Sequence, residues 1–227
     1  MLLRQRAAYA SRRSGETREP IQIGAEIYGH AGIASDLEIQ SLLCRSLAAA
    51  GVRGARMDVG HVAVFRSLVQ AAGIGQALEV ELFEALQKKD VPGLKTETRK
   101  LNAKTRSALL LLPELYGDSA VLEVAEKKLP RLPELQKALT TLRALAKACP
   151  IPVSFDLAEL RGYHYHSGVV FDAYCDGLKG TANFPVARGG RYDEVGKAFG
   201  RSRPASGFSI DLRSLSAIKP NGRKRRK

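Results

Sequence analysis

The sequence has few cysteines and no long apolar run, and both absences restrict the classes of protein it can represent. Only three cysteines occur in 227 residues, Cys44, Cys149 and Cys175, and they form no Cys-x-x-Cys pair. A disulfide scaffold and a cysteine-based zinc site are therefore not expected, and a reducing compartment such as the cytoplasm fits this usage. No stretch of about 18 apolar residues is present, so the sequence predicts no membrane-spanning helix.

Apolar and charged residues are balanced as in a folded protein. Apolar residues make up 44% of the chain and charged residues 26%, which is enough apolar surface for a core and excludes a disordered chain. The length of 227 residues predicts one large domain or one domain with an insertion.

Positive charge exceeds negative charge, and part of the excess lies at the carboxyl end. The 36 Lys and Arg residues against 23 Asp and Glu residues give a formal net charge of +13. Residues 218–227 form a basic tail that ends in Arg223-Lys224-Arg225-Arg226-Lys227. Such a tail can contact nucleic acid, but a solvated end without a role explains the same composition. We do not expect nucleic acid as a partner.

The first regular element is a strand over residues 21–28 with two different faces. Its alternation predicts an apolar face that packs on helices and a polar face formed by Gln22, Gly24, Glu26 and Tyr28. The polar face has the composition of a ligand floor, with Gly24 leaving space between an amide and a carboxylate. A half-solvated sheet with polar residues facing water is the alternative.

The order of predicted elements indicates an α+β fold. Ser35-Asp36-Leu37-Glu38 has the pattern of a capping box that begins a helix ending near residue 50. A strand over 55–59 and a helix over 62–72 follow, and residues 75–149 are predicted to be helical throughout, divided by prolines and glycines into four or five helices. Further strands are predicted over 153–157, 168–174, 183–188 and 207–212, with short connections that favour antiparallel pairing.

This order predicts an antiparallel sheet interrupted by a helical module. We therefore divide the chain into a core formed by residues 1–74 and 150–217, a helical insertion over 75–149, and the basic tail over 218–227.

Two segments concentrate residues suited to binding a small polar ligand. Residues 159–168 and 187–193 both place Arg, Tyr and Gly side by side. Glycine allows close approach of a ligand to the backbone, arginine offers a planar fork for a carboxylate or phosphate, and tyrosine offers a flat wall with a polar edge. His164 and His166 share a face if their segment is a strand, but no further ligand occurs at recognised spacing, so a metal site is not expected.

Three segments together are similar to the histidyl-tRNA synthetase-type class II core. They are Gln22-Ile23-Gly24-Ala25-Glu26, the run from Arg161-Gly162-Tyr163-His164-Tyr165-His166 to Phe171, and Ala187-Arg188-Gly189-Gly190-Arg191-Tyr192-Asp193. Their order and spacing most resemble the regulatory subunits of ATP phosphoribosyltransferase, the non-catalytic paralogues of that synthetase. The resemblance implies a class II synthetase-type antiparallel sheet and further sequence ahead of Met1, so we expect an incomplete core.

The resemblance also implies a set of histidine-binding residues, Gln22, Glu26, Arg161, Tyr165, His166 and Tyr192. A pocket for free histidine needs a cation or amide for the carboxylate, an acid for a positive group, and aromatic walls. Arg161 and Gln22 are assigned to the ligand carboxylate. Glu26 is assigned to a positive group of the ligand, and Tyr165 and Tyr192 to the walls around its ring.

Departures from the synthetase pattern imply a regulatory subunit and no catalysis. The third class II motif has glycine, glutamate and arginine where this chain has Asp211, Arg213 and Ser214, and the arginine helps to hold ATP in the family. An aspartate near the ATP phosphates repels them. The resemblance therefore implies no cofactor, histidine as effector, and the catalytic subunit of ATP phosphoribosyltransferase as partner. A catalytic-core fragment of a histidyl-tRNA synthetase is the alternative.

Overall fold

The computed structural model describes residues 21–175 and 185–218, and residues 1–20 and most of the predicted basic tail lie outside this part. The helices are α1 (Ile33–Ala49), α2 (Ala63–Ala71), α3 (Gln76–Gln87), α4 (Val91–Glu97), α5 (Ala103–Leu111), α6 (Ala120–Lys128), α7 (Pro133–Ala148) and α8 (Leu212–Ala217). The strands are β1 (Gln22–Tyr28), β2 (Arg56–His61), β3 (Tyr116–Gly117), β4 (Val153–Asp156), β5 (Val169–Tyr174), β6 (Ala187–Arg191) and β7 (Ala205–Asp211). Short 3-10 helices cover Leu112–Glu114 and Val195–Phe199.

The strands form one sheet in the order β1-β7-β6-β5-β2-β4-β3. Neighbouring strands are antiparallel except β2 and β4, which run parallel. The predicted α+β fold is confirmed, with a mixed and mostly antiparallel sheet. None of the helices in the described ranges combines the length and apolar character that a membrane crossing requires.

One face of the sheet carries the core. The registers align Ala25, Phe208, Gly189, Phe171 and Val59 in a row across five strands. The phenylalanines and the valine are buried in the main hydrophobic cluster, and α1 and α7 contact the strands that carry this row. Alternate residues of a strand point to opposite faces, so the next residue on each strand faces away from the helices.

The apolar face of β1 is only partly covered, contrary to the sequence prediction. Ala25 and Ile27 pack against the core, but Ile21 and Ile23 are 52% and 56% exposed. β1 forms one edge of the sheet, with β7 as its one neighbouring strand among the described residues, which leaves its first residues accessible to solvent.

Residues 75–149 are not helical throughout, which corrects the prediction. Tyr116 and Gly117 form β3, which pairs with β4 and makes the other edge of the sheet. Helix α7 contacts α1, α2, β2 and β5, and its buried leucines belong to the main core cluster. The division of the chain at residues 75 and 149 stays a prediction.

Two further local predictions were wrong. Helix α1 begins at Ile33 after Gly32, and no side chain caps it, so Ser35 and Asp36 are not its cap. The strand predicted over 183–188 is β6 at Ala187–Arg191, and residues 183 and 184 lie outside the described part. Gly189 and Gly190, which lie just beyond the end of the predicted strand, are therefore strand residues.

Candidate ligand-binding site

The sheet face opposite the helices carries a strip with few side chains. Glu26 lies opposite Gly207, which lies opposite Gly190, which in turn lies opposite Val170. Residues two positions away on each strand share this face, and they form a polar row of Gly24, Ser209, Arg188, Asp172 and Asp58. The polar face of β1, interpreted above as a ligand floor, thus borders a strip that leaves space above the sheet.

Glu26 is held at one end of the strip by two tyrosine hydroxyls. Tyr28 donates to its Oε2 at 2.6 Å, and Tyr192 donates to its Oε1 at 2.7 Å. Burial and the hydrogen bond to Glu26 both raise the pKa of the Tyr192 hydroxyl, and the same hydrogen-bonded acceptor raises the pKa of Tyr28. Both phenols therefore remain protonated donors at neutral pH and fix the position of the carboxylate.

Tyr165 and His166 extend this arrangement into an aromatic recess, formed by Glu26, Tyr28, Tyr165, His166 and Tyr192. The centroid of the Tyr165 ring lies 5.0 Å from that of Tyr192 and 5.1 Å from that of His166. Tyr165 is 47% exposed, so one side of its ring is accessible to a ligand. An acid surrounded by aromatic walls is suited to a small ligand that carries a positive charge on or near a flat ring.

His166 is a neutral ring with a defined orientation. Burial lowers its pKa, although the hydrogen bond to the carbonyl of Arg191 acts in the opposite direction. Its Nδ1 lies 3.1 Å from that carbonyl oxygen, which can only accept, so Nδ1 carries the proton. The Nε2 atom is then an acceptor, and it can receive a hydrogen bond from a ligand.

The glycines of the strip are required by the close approach of these side chains. A Cβ atom on Gly207 would lie 2.5 Å from the Tyr192 hydroxyl oxygen and 2.9 Å from Cγ of Glu26. A Cβ atom on Gly190 would lie 2.9 Å from two atoms of the His166 ring. All of these distances are shorter than a van der Waals contact, so a larger residue at either glycine would displace the side chains of the recess.

Arg161 lies beside the recess in a cavity of about 220 Å³ that His166 also lines. Its guanidinium pairs with Glu159 at 2.8 Å and with Asp172 at 2.7 Å. Burial opposes the charge of Arg161, but the two carboxylates outweigh it and raise the pKa of the guanidinium. Burial also raises the pKa of Asp172, and Arg161 offsets part of this effect. A ligand carboxylate that binds Arg161 therefore shares the guanidinium with these acids or displaces one of them.

Gln22 lies apart from Glu26 along β1. It lies four residues from Glu26 on the same face of β1, a separation of about 13 Å at the rise of a strand. Its neighbour across the sheet is Asp211, which accepts hydrogen bonds from the backbone N–H groups of Arg213 and Ser214 at 2.9 and 3.2 Å. Asp211 is thus the N-cap of α8, a structural role that the sequence interpretation did not include.

His164 and His166 do not share a face, which corrects the strand geometry assumed for them. Residues 161–165 form a turn, and the ring of His164 packs at 5.4 Å from Phe83 and 5.3 Å from Tyr163. His166 instead faces the Arg191 carbonyl. Within residues 21–175 and 185–218, no group of three His, Cys, Asp or Glu side chains is arranged to hold a metal ion.

The sequence did not indicate the buried side chains on the α1 side of the sheet that position the recess. Arg191 is 7% exposed and donates to the carboxylate of Asp36, to Ser35 Oγ and to the carbonyl oxygen of Gly32. This network joins α1 to β6, next to Tyr192. The adjacent pair Ser35-Asp36 resembles a helix cap, so the pattern gave no signal for a buried partner.

A family comparison covers nearly the whole chain. The family described as histidyl-tRNA synthetase matches residues 4–215. The chain is 55% identical over 209 residues to the ATP phosphoribosyltransferase regulatory subunit of Nitrosospira multiformis, covering 89% of this chain and 52% of that protein. It is 52% identical over 207 residues to the same-named protein of Methylobacillus flagellatus, covering 90% of this chain and 52% of that protein.

A solved structure has the same fold. It is described as an ATP phosphoribosyltransferase regulatory subunit/histidyl-tRNA synthetase from Bacillus halodurans. The two structures align with a TM-score of 0.76 at 26% sequence identity, covering 87% of this chain and 53% of the other. The chain therefore spans about half the length of the curated relatives and of the structure that it resembles.

Proposed function

The chain belongs to the histidyl-tRNA synthetase family, and on this premise we propose that it acts as the regulatory subunit of an ATP phosphoribosyltransferase, or as part of one. In this function it catalyses no reaction itself. It binds the catalytic subunit in the cytoplasm, supports the joining of ATP to phosphoribosyl pyrophosphate in the first step of histidine biosynthesis, and senses histidine.

Sequence identity and the third motif support this assignment over tRNA charging. Relatives more than 50% identical across about nine-tenths of the chain carry the name of the regulatory subunit. Asp211 caps α8 where the synthetase motif has glycine, and Ser214 occupies the place of the ATP-binding arginine. The negative charge of Asp211 at this place would also repel the phosphates of ATP.

The observation that carries the effector assignment is the aromatic recess around Glu26. We assign the positive group of bound histidine to Glu26, where it exchanges with the Tyr28 hydroxyl, and we place the ligand ring beside Tyr165 and His166. The ligand carboxylate goes to Arg161, which releases Glu159 or Asp172, with Gln22 at the border of the site. Histidine can then regulate the partner only if active and inhibited complexes bind it with different affinities.

Histidine binding is tested by calorimetry on the full chain and on two variants. Glu26→Gln removes the charge and keeps an acceptor, and a lost charge-assisted hydrogen bond lowers affinity by about ten- to hundredfold. Gly207→Ala introduces a methyl group against Tyr192 and Glu26, and we expect a loss at least as large. Gly75→Ala is the matched control, because a Cβ at Gly75 meets nothing within 4 Å. Parent-like affinity in both recess variants contradicts the assignment.

The function itself is tested by reconstitution with a catalytic subunit of ATP phosphoribosyltransferase. We expect co-purification, a higher phosphoribosyltransferase rate, and histidine inhibition that Glu26→Gln weakens. Histidine-dependent exchange of pyrophosphate with ATP by this chain alone would identify a synthetase core instead.

A further inference from the structure

Cys44 and Cys149 lie against each other although 105 positions separate them in the sequence. Cys44 lies in α1, and Cys149 follows directly after the last residue of α7. Their sulfur atoms are 3.9 Å apart. We propose that these two thiols are a redox-active pair, which a hydroperoxide converts into a disulfide within one chain.

The two thiols differ in access, which assigns them different roles. Cys44 is 5% exposed and belongs to the core, whereas Cys149 is only partly buried. The hydrogen bond between the sulfurs lowers the pKa of Cys149 and, together with burial, raises that of Cys44. Cys149 is therefore the thiolate that meets an oxidant first, and Cys44 is the thiol that resolves the product.

The geometry allows the bond to form with a small movement. A disulfide has a sulfur–sulfur distance of about 2.0 Å, so the sulfurs must approach by about 1.9 Å. Cys149 has an extended backbone after the end of α7, with φ −75° and ψ 126°, and its N–H donates to the carbonyl of Ala146 at a long 3.3 Å. A change in its side-chain torsion together with a shift of this terminal residue closes the distance.

Formation of one disulfide consumes one molecule of hydroperoxide. The Cys149 thiolate attacks a peroxide oxygen, the O–O bond breaks, and the products are a sulfenic acid and, after proton uptake, water or an alcohol. The Cys44 sulfur then attacks the Cys149 sulfur and displaces hydroxide, which takes the Cys44 proton and leaves as water. The two thiols lose two electrons and the peroxide gains them, and a dithiol reductant reverses the reaction.

The test treats the full chain with hydrogen peroxide and maps its peptides without reduction. We expect a linked pair of peptides containing Cys44 and Cys149, a mass loss of about 2 Da that dithiothreitol reverses, and a higher melting temperature of the oxidised chain. Cys175→Ser is the matched control and should leave the linked peptides unchanged. In Cys44→Ser, dimedone should label the sulfenic acid at Cys149.

Several results overturn the proposal. They are absence of the linked peptides while Cys149 is oxidised to sulfinic acid, disulfides only between chains, and dimedone labelling of Cys175 but not of Cys149 in Cys44→Ser. Peptide mapping of the unsubstituted chain decides the question even where a variant fails to fold.

Discussion

At the scale of single residues, Arg191 links the strand next to the recess to helix α1 through several buried contacts. Its guanidinium lies 2.9 Å from Oδ1 of Asp36, and the two side chains are 9% and 5% exposed. Asp36 also accepts from the hydroxyl of Ser206 at 2.8 Å, and the Arg191 carbonyl fixes the His166 ring. One buried ion pair thus holds α1, β6 and β7 together and orients a wall of the recess.

Removal of this cation should destabilise the protein strongly. Arg191→Met keeps the volume of the side chain but leaves Asp36 buried without its counter-ion, and breaking a buried pair in this way costs about 3–5 kcal/mol. The free energy of unfolding, measured by urea titration at pH 7.5, should fall by this amount. Lys88→Met is the control, because it removes an exposed cation paired with Glu84. Equal stability of the two variants contradicts a structural role for the Arg191 pair.

Some contacts between single residues could be predicted from the sequence, and others could not. Glu26 and Tyr192 belong to motifs whose order and spacing match the family, and the structure brings them within hydrogen-bonding distance. The contacts between Arg191 and Asp36 and between Cys44 and Cys149 join positions more than 100 residues apart. No local pattern marks such pairs, because the first depends on how α1 packs on β6 and the second on how α1 packs against the end of α7.

At the scale of elements, the start of α2 depends on a neutral histidine. Nδ1 of His61 accepts the backbone N–H of Ala63 at 3.2 Å, which satisfies a donor in the first turn of the helix. Burial and the positive charges of Arg66, Arg191 and Lys137 lower the pKa of His61 from 6.5 to about 4. Protonation of Nδ1 would remove the acceptor and place a positive charge at a helix N-terminus.

This pKa makes stability depend on pH in a defined window. At pH 7.5, well above the ordinary pKa of 6.5, His61 is almost entirely neutral in both the folded and the unfolded chain and contributes almost no pH dependence. Below pH 6.5, the unfolded chain binds the proton first, so stability falls as the pH decreases towards 4. Between pH 7.5 and 5.0 we expect a loss of about 2 kcal/mol from this residue, at 1.36 kcal/mol per pKa unit.

Urea titrations of the parent and of a His61 variant at these two pH values measure the contribution of His61 to the pH dependence of stability. His61→Gln keeps an acceptor for Ala63 but does not titrate, so its loss on acidification should be smaller than that of the parent by about 2 kcal/mol. His30→Gln replaces an exposed histidine and should lose as much stability as the parent. An unchanged pH dependence in His61→Gln contradicts the neutral state assigned to this ring.

Elements with a clear apolar pattern were predicted better than elements without one. Strand β5 is rich in Val and Phe and was predicted over 168–174, within one residue of its bounds, whereas the helices between residues 75 and 149 were predicted only as a group. Strand β3 has two residues and no repeat, and it is a strand only because β4 provides its hydrogen-bonding partner. The bounds predicted for β6 ended too early because adjacent glycines favour turns in a sequence pattern. In the structure Gly189 and Gly190 continue the strand and allow close packing against Phe171 and His166.

At the scale of the molecule, the sheet and the helices between β2 and β4 share one core. Leu139 and Leu142 of α7 are both 0% exposed and belong to the same buried cluster as Phe65 of α2 and Phe171 of β5. A cluster that continues across these elements favours one cooperative unfolding unit. The sequence alone, with its run of helices between two groups of strands, favours a separate module.

A substitution in α7 distinguishes these two arrangements. Leu139→Ala removes buried methyl groups and should cost about 2–5 kcal/mol. If the core is one unit, native-state hydrogen exchange should show the same loss of protection for the slowest amides of β5 and β7 as for those of α7. Val80→Ala in α3 is the control, since Val80 is 40% exposed and its truncation should leave protection unchanged. Parent-like protection in β5 and β7 with weakened α7 would instead establish an independent helical module, because the lost contacts would then have stabilised only the helices.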